Sequence, residues 1–354
     1  MTIVFACLEA DTLGGVQQVT HTLAQGLAGR GHDVHVIGLY QAASPFHYVD
    51  SPLYQEHVIS RTAVDGQGRL ARCHADRRLA RLLGSVQPGF AVMTSPSVVT
   101  RLVRLLPGSL RTIGQYHGSY EHARDCWHLG SIRKHYPALD QAVFLSRDDA
   151  WMFSERALLP NTWSVPNPLA AWPEETATLE TPRVLGVGRL EGVKRFDRLI
   201  TAFARSGAPR PWELHLIGEG GELERLRVHA AEEGVADRVV IKGRVAAARM
   251  AGEYLAASIV AVTSEHEGLP IVLLEAAAHG VPAVAFDVSG GVRSATPVLV
   301  PAGDVGAFAR ELARLVDSPQ ERRRLGAAAR ARAEAFRLDR ILDEWESLFT
   351  HIAR

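Results

Sequence analysis

Residues 1–39 read MTIVFACLEADTLGGVQQVTHTLAQGLAGRGHDVHVIGL. The run at 2–8 is short, apolar and uncharged, as a buried strand requires. Residues 9–15 form a loop ending in two glycines, and residues 16–28 place Val16, Val19, Leu23 and Leu27 on one helical face. Gly29 and Gly31 stop that helix, and residues 33–39 make a second buried strand. A strand, a glycine loop, a helix and a strand form a βαβ unit, whose strands run parallel because a crossover helix joins them. Apolar runs at 90–94, 111–116 and 142–146 extend the same sheet.

The rhythm breaks at Val165-Pro166-Asn167-Pro168, and residues 170–182 carry the Pro, Glu and Thr of a linker. It restarts with a strand at 183–188 and a helix at 197–205. Strands at 213–218, 239–242, 259–263 and 282–286 follow, with helices between them. The reading predicts an α/β chain with doubly wound parts at 1–168 and 169–336. A closing helix at 337–354 bears Leu338, Ile341, Leu342, Trp345, Leu348 and Phe349 as its apolar stripe. Such folds hold ligands at the carboxyl ends of their strands, and two of them predict a cleft between domains.

A length of 354 residues suits two domains, and 47% hydrophobic with 22% charged residues is ordinary for a globular protein. The formal net charge of zero gives no bulk field to draw in nucleic acid, so any bound anion must be met locally. Cys7, Cys73 and Cys126 are far apart and odd in number, which predicts neither a disulfide framework nor a cysteine metal pair. The opening run has no basic leader, and no apolar stretch reaches the ~18–20 residues of a membrane span. The expected location is cytoplasmic. Only Lys134, Lys194 and Lys242 among the 39 basic residues are lysines, so each stands out against an arginine background.

Five places carry candidate chemistry or binding. In Asp11-Thr12-Leu13-Gly14-Gly15 the glycines let backbone approach a ligand, and the helix start offers N–H groups to an anion. A plain βα turn has the same composition, and no G-x-G-x-x-G is present. Gly188-Arg189-Leu190-Glu191-Gly192-Val193-Lys194 places Arg189 and Lys194 at the end of a strand. There a guanidinium fork and a compact ammonium suit a diphosphate, whose charge builds as its bond to a leaving sugar breaks. Two solvated surface charges are the bland alternative.

Glu265-His266-Glu267-Gly268-Leu269-Pro270 leads into a helix at 271–279, with Pro270 expected at its first position and Glu275 in its second turn. Glu267 has an ordinary reading as capping chemistry. Glu275 does not, because the surrounding Ile271-Val272-Leu273-Leu274 and Ala276-Ala277-Ala278 are apolar, and a carboxylate there needs a partner or a ligand. Tyr116-His117-Gly118-Ser119 ends a strand, which sets His117 apart from the other fourteen histidines. Finally, residues 61–104 hold eight arginines against Asp65 and Asp76. A basic amphipathic helix over 69–83 either meets an anionic membrane weakly or presents a solvated face with its leucines inward.

Together these segments resemble the large family of retaining GT-B glycosyltransferases that includes glycogen synthases, sucrose synthases and mannosyltransferases of envelope lipids. The resemblance spans nearly the whole chain. It is carried by Gly14-Gly15-Val16 with Arg30-Gly31-His32-Asp33-Val34, by Gly188-Arg189 with Lys194, and by Leu216-Ile217-Gly218-Glu219-Gly220. Its most specific element is the glutamate pair Glu267 and Glu275. The resemblance implies an acceptor-side domain at 1–168, a nucleotide-sugar domain at 169–336 and a final helix that returns to the first domain. Arg189 and Lys194 would bind the donor diphosphate, with Gly15 and Gly218 among the donor positions. Glu275 would hold the ribose, while Glu267 and the backbone of Gly268, Leu269 and Pro270 would face the transferred sugar. His117 would contact that sugar from the first domain.

The implied reaction is a front-face substitution that retains anomeric configuration and needs no protein nucleophile. UDP is the family's commonest carrier. No D-x-D pair is present, so no metal or other cofactor is expected. Three departures stand out. Asn167-Pro168 replaces the usual Asn-Gly, and Pro270 removes an N–H. Ser289-Gly290-Gly291-Val292-Arg293-Ser294-Ala295-Thr296 lacks both the acidic residue that follows the family's glycines and the usual glycine turn before the next strand. The Asn-Pro pair, Glu-Gly-Leu-Pro and the Trp345-Glu346-Ser347-Leu348-Phe349 ending are similar to the branch that modifies teichoic acid and related envelope or capsular glycans. The alternatives are a nucleotide-sugar 2-epimerase of the same architecture and a non-catalytic sugar-binding relic.

Overall fold

A computed structural model describes residues 1–61, 68–296 and 298–354, with the side chain of residue 69 set aside. Asp65 of the basic segment lies outside the described residues. The chain forms two compact units, one of Met1–Ala170 with Leu338–Arg354 and the other of Ala171–Arg337.

The first unit holds β1 (Thr2–Glu9), β2 (Asp33–Tyr40), β3 (Gln55–Ser60), β4 (Gly89–Met93), β5 (Leu110–Tyr116), β6 (Gln141–Phe144) and β7 (Thr162–Ser164). They form one sheet in the order β3-β2-β1-β4-β5-β6-β7. Every pairing is parallel, with Ile3 opposite Val34 on one side and Phe90 on the other. The first helix, Gly15–Gly29, packs Val19, Leu23 and Leu27 inward. The apolar runs of β1, β4 and β6 are buried on both faces because helices cover the sheet, as all-parallel sheets demand. The sheet is wider than the sequence suggests, since β3 and β7 are edge strands without an apolar signature.

The closing helix, Leu338–Ile352, belongs to this first unit. Its Trp345 meets Phe5 edge-on at 6.3 Å between ring centroids, and Phe349 meets Phe90 at 4.6 Å. Gly26 leaves room for Leu342, whose Cδ1 stands 2.7 Å from where a Cβ would be. At the rim, Arg30 pairs with Asp343 at 2.7 Å and Glu346 at 2.6 Å.

The basic helix is Arg69–Ser85, and its Ala75, Leu79 and Leu83 are buried in the unit's core. Its apolar face is thus already occupied by protein, and Leu70 is its exposed large apolar residue. No helix among the described residues is long and apolar enough to cross a membrane.

The second unit holds β8 (Arg183–Val187), β9 (Glu213–Ile217), β10 (Val239–Gly243), β11 (Ile259–Val262), β12 (Ala283–Asp287) and β13 (Val298–Pro301). Their order is β10-β9-β8-β11-β12-β13, and every pairing is parallel. Strand order reverses between β8 and β11, so the loops leaving those two strands diverge around the crevice where such sheets bind ligands.

Residues 171–182, which the composition predicts as a linker, are tied down in this unit. Arg330 and Arg337 lie over the Trp172 ring at 4.8 and 5.0 Å, Ala177 N–H donates to the His279 carbonyl at 2.9 Å, and Arg322 donates to the Leu179 carbonyl at 3.3 Å. Residues 289–296, which lack the family's glycine turn, hold a short helix, Gly290–Ala295. It is capped by Ser289, whose Oγ accepts the Val292 N–H at 3.1 Å.

Candidate active site

At the switch point of the second sheet, backbone hydrogen bonds lace three strand-end loops together. After β8, Gly188 N–H donates to the Ile217 carbonyl and Leu190 N–H to the Glu219 carbonyl, at 2.9 and 2.8 Å. After β11, Glu265 N–H donates to the Val193 carbonyl at 2.9 Å. The hydroxyl of Thr263 donates to the Arg195 carbonyl at 3.0 Å. Gly218 is indispensable to this crossing. Its φ is +149°, and a Cβ there would lie 1.8 Å from the Gly188 carbonyl oxygen.

A 3₁₀ turn, Gly192–Lys194, then delivers Lys194. Its aliphatic stem lies over Gly188, and its Nζ pairs with Glu267 Oε1 at 2.6 Å. The side chains are 24% and 11% exposed, so the pair is screened far less than a surface bridge. Arg189 is different: its side chain is 64% exposed and rests on Glu191 at 3.1 Å. An exposed pair of this kind contributes about 0–1 kcal/mol, so a ligand can take the guanidinium over at little cost. Beside them Arg195 forks onto Asp197 at 3.0 and 2.9 Å. Burial alone would raise the Asp197 carboxyl, but the Arg195 fork outweighs it and holds the group below its usual range.

Glu267 leads through Gly268, Leu269 and Pro270 into the helix Ile271–Ala278. Pro270 is the cap residue, one position earlier than the sequence predicts, and makes no side-chain cap bond. The segment is held from behind. Ser289 Oγ donates to the Gly268 carbonyl at 2.7 Å, and a Cβ on Gly291 would come 2.1 Å from that same oxygen. The departure at 289–296 therefore has a structural sense: a glycine helix start presses directly on the Gly268 backbone, and the serine fixes it.

Glu275 sits in the second turn of that helix and accepts a hydrogen bond from the Tyr254 hydroxyl at 2.7 Å on Oε2. Tyr254 is itself buried and stacked on His279 at 5.2 Å. This explains how an apolar helix carries a carboxylate. We expect Tyr254→Phe to keep the stack, lose the hydroxyl, and lower the unfolding free energy by about 1.5–3 kcal/mol, as for a hydrogen bond to a charged group. An unchanged urea midpoint would refute that role.

In the first unit, Gly14 caps the helix Gly15–Gly29 and Gly15 is exposed at its start. The loop before it is pinned from 34 and 36 residues away: Gly14 N–H donates to the Tyr48 hydroxyl at 2.8 Å, and the Tyr48 hydroxyl donates to the Thr12 carbonyl at 2.8 Å. His117 follows β5, and its Nε2 is buried with no hydrogen-bond partner among the described residues. Burial lowers its imidazole from 6.5 to about 4.

Between those values the unfolded chain binds the proton and the folded chain does not. Stability supplied by neutral His117 is therefore complete above pH 6.5 and is lost as pH falls to about 4. We expect His117→Gln to remove up to one proton from the slope of unfolding free energy against pH in that window. His21, His57 and His279, also lowered by burial, keep some slope in place. A slope identical to that of the wild type would dismiss His117 as its source.

Sequence reasoning did not find Tyr254, Ser289, Tyr48 or the Arg195–Asp197 fork. Each acts through a partner 2 to 36 residues away. Gly291 was legible as a glycine, but its reason was not.

Residues 171–332 match the family model "Glycosyl transferases group 1", and residues 13–168 match "Glycosyltransferase Family 4". An exopolysaccharide phosphotransferase of Streptomyces coelicolor is 29% identical over 99% of this chain, which spans only 41% of that relative's length. An uncharacterized glycosyltransferase of Haemophilus influenzae is 24% identical over 97% of this chain and 98% of its own. Among solved structures, a TarM mutant of S. aureus in complex with fondaparinux, alpha-GlcNAc-glycerol and UDP superposes with a TM-score of 0.81. It shares 12% identity and covers 98% of this chain and 99% of that one, a likeness of fold. With one model on each unit and this fold beneath them, the chain belongs to the group 1 glycosyltransferases of GT-B architecture.

Proposed function

We propose that the chain transfers a hexose or N-acetylhexosamine from a nucleotide-diphosphate sugar, UDP-linked, to a hydroxyl of a glycan, lipid-linked or small-molecule acceptor, with retention of configuration. The observation that carries this reading is the Lys194–Glu267 pair, which sets an ammonium and a carboxylate 2.6 Å apart at the ends of β8 and β11. The UDP in the S. aureus complex supports the carrier.

In this reading Arg189 and Lys194 take the diphosphate, and Glu275, held by Tyr254, accepts the ribose hydroxyls. Glu267 and the backbone at Gly268, Leu269 and Pro270 face the sugar, and His117 offers a neutral imidazole to a sugar hydroxyl. The acceptor oxygen attacks the anomeric carbon on the face from which the diphosphate leaves. The C1–O bond breaks, its electron pair goes to the terminal phosphate oxygen, and that oxygen takes the acceptor's proton. The two cations stabilise the charge as it forms, which is where such groups act most strongly.

The name of the Streptomyces relative favours a second reading, phosphotransfer, in which a P–O bond breaks and a nucleoside monophosphate departs. One experiment separates the two. Purified protein is first screened against nucleotide sugars for a rise in melting temperature, which binding to the folded state produces. The active donor is then incubated with acceptors. Release of nucleoside diphosphate with an α-configured product from an α-configured donor supports retaining glycosyl transfer, and release of monophosphate supports phosphotransfer. An isomerised donor would instead indicate an epimerase. Tight binding without any turnover would leave a sugar-binding relic.

A further inference from the structure

Past β5, the first unit gathers three side chains to which the reaction above gives no task. His122 lies in the short helix Tyr120–Arg124, Cys126 follows it, and His128 opens the helix His128–His135. The Cys126 thiol and one ring nitrogen of each histidine all lie within 4.8 Å of one another, and all three residues are half-buried. Cys126 makes a weak contact of its own, 3.8 Å to the Ala123 carbonyl.

A second layer supports the cluster. The Tyr116 hydroxyl meets His128 Nδ1 at 3.0 Å, which leaves Nε2 as the ring nitrogen for a metal. The His122 and His128 rings stand edge to face at 5.4 Å, and Trp127 packs edge-on against His128 at 4.5 Å.

Two imidazoles and a thiol form a borderline-soft ligand set. It suits Zn²⁺ and is wrong for Mg²⁺ or Ca²⁺, which take oxygen ligands. Bonds of roughly 2.0–2.3 Å in a tetrahedral site put ligand atoms roughly 3.3–3.8 Å apart, so closing the set takes about 1 Å of side-chain adjustment. We propose that His122, Cys126 and His128 bind one zinc ion, through two imidazole nitrogens and a thiolate, with the fourth position taken by water. Binding releases the thiol proton to solvent. The ion ties the turn between two helices at the end of the segment that starts at His117. The His-x₃-Cys-x-His spacing was in the sequence, but comparing cysteines only with one another hid it.

The test uses the full chain, stripped with chelator and titrated with Co²⁺ as a spectroscopic probe. We expect one cobalt per chain with a thiolate-to-cobalt charge-transfer band, displaced by one equivalent of Zn²⁺. Cys126→Ser abolishes the band, whereas Cys73→Ser, which changes an exposed thiol on another helix, keeps it. Tyr116→Phe weakens metal affinity by about tenfold or more, as loss of a supporting hydrogen bond does. A second readout needs no variant: zinc should slow iodoacetamide labelling of Cys126, mapped by mass spectrometry, and leave Cys73 unaffected. Absence of the band, its survival in Cys126→Ser, or labelling of Cys126 indifferent to zinc would each overturn the site.

Discussion

Replacing Lys194 by alanine is expected to lower turnover at saturating donor by about 10²-fold or more, the loss typical of removing one group that meets developing charge. Lys194 has little freedom to be elsewhere. Its carbonyl lies within 3.3 Å of the Thr263 hydroxyl, its stem crosses Gly188, and its ammonium ends 2.6 Å from Glu267. The substitution removes the ammonium proposed to meet the diphosphate and also strips Glu267 of its partner. The carboxylate then adds a repulsion where an anion must sit. The cost to folding is smaller, between the 0–1 kcal/mol of exposed pairs and the ~3–5 kcal/mol of buried ones, because the lysine keeps some solvent. The measurement is initial nucleotide release at saturating donor, with melting temperature followed in parallel. A folded variant with near-normal turnover would remove Lys194 from the site.

Gly218→Ala should be the most damaging substitution of a single methyl group. The added Cβ would stand 1.8 Å from the Gly188 carbonyl oxygen and 2.8 Å from its carbon, and both are backbone atoms that no rotamer change moves. Relief by shifting Gly218 is blocked by its own N–H bond to the Gly243 carbonyl at 2.9 Å. Forcing alanine to φ near +149° adds strain to the collision. The two together cost about 3 kcal/mol or more. The loop that carries Arg189 and Lys194 is displaced, so the thermal shift induced by donor should vanish as well. Gly221→Ala, three residues on and with no neighbour within 4 Å of the new methyl, serves as the control and should melt as the wild type does. Equal unfolding free energies for the two variants would refute the close approach.

Much of this architecture is legible in the sequence because parallel strands buried on both faces are written as plain apolar runs. Phe5, Val92 and Val143 needed no further clue. What escapes is structure without that signal. β3 begins with exposed Gln55 and Glu56 at a sheet edge, β7 is three residues long, and β13 is a four-residue edge strand. In the candidate site, residue types such as Arg189, Lys194, Glu267 and Glu275 stand out by position and composition. Their partners do not. Tyr254, near the end of the helix Ala247–Leu255, meets Glu275 across 21 residues of sequence, and that is decided by packing.

The closing helix has a consequence for how the chain is made. Residues 171–337 emerge from the ribosome as a complete set, and their unit can close on its own contacts while synthesis continues. The unit begun by β1 cannot. Trp345 and Phe349, which fill its core against Phe5 and Phe90, are translated more than 250 residues after those partners. The half of the protein translated first is thus the last to mature, and until its final helix arrives it holds an open apolar seam of the kind chaperones bind.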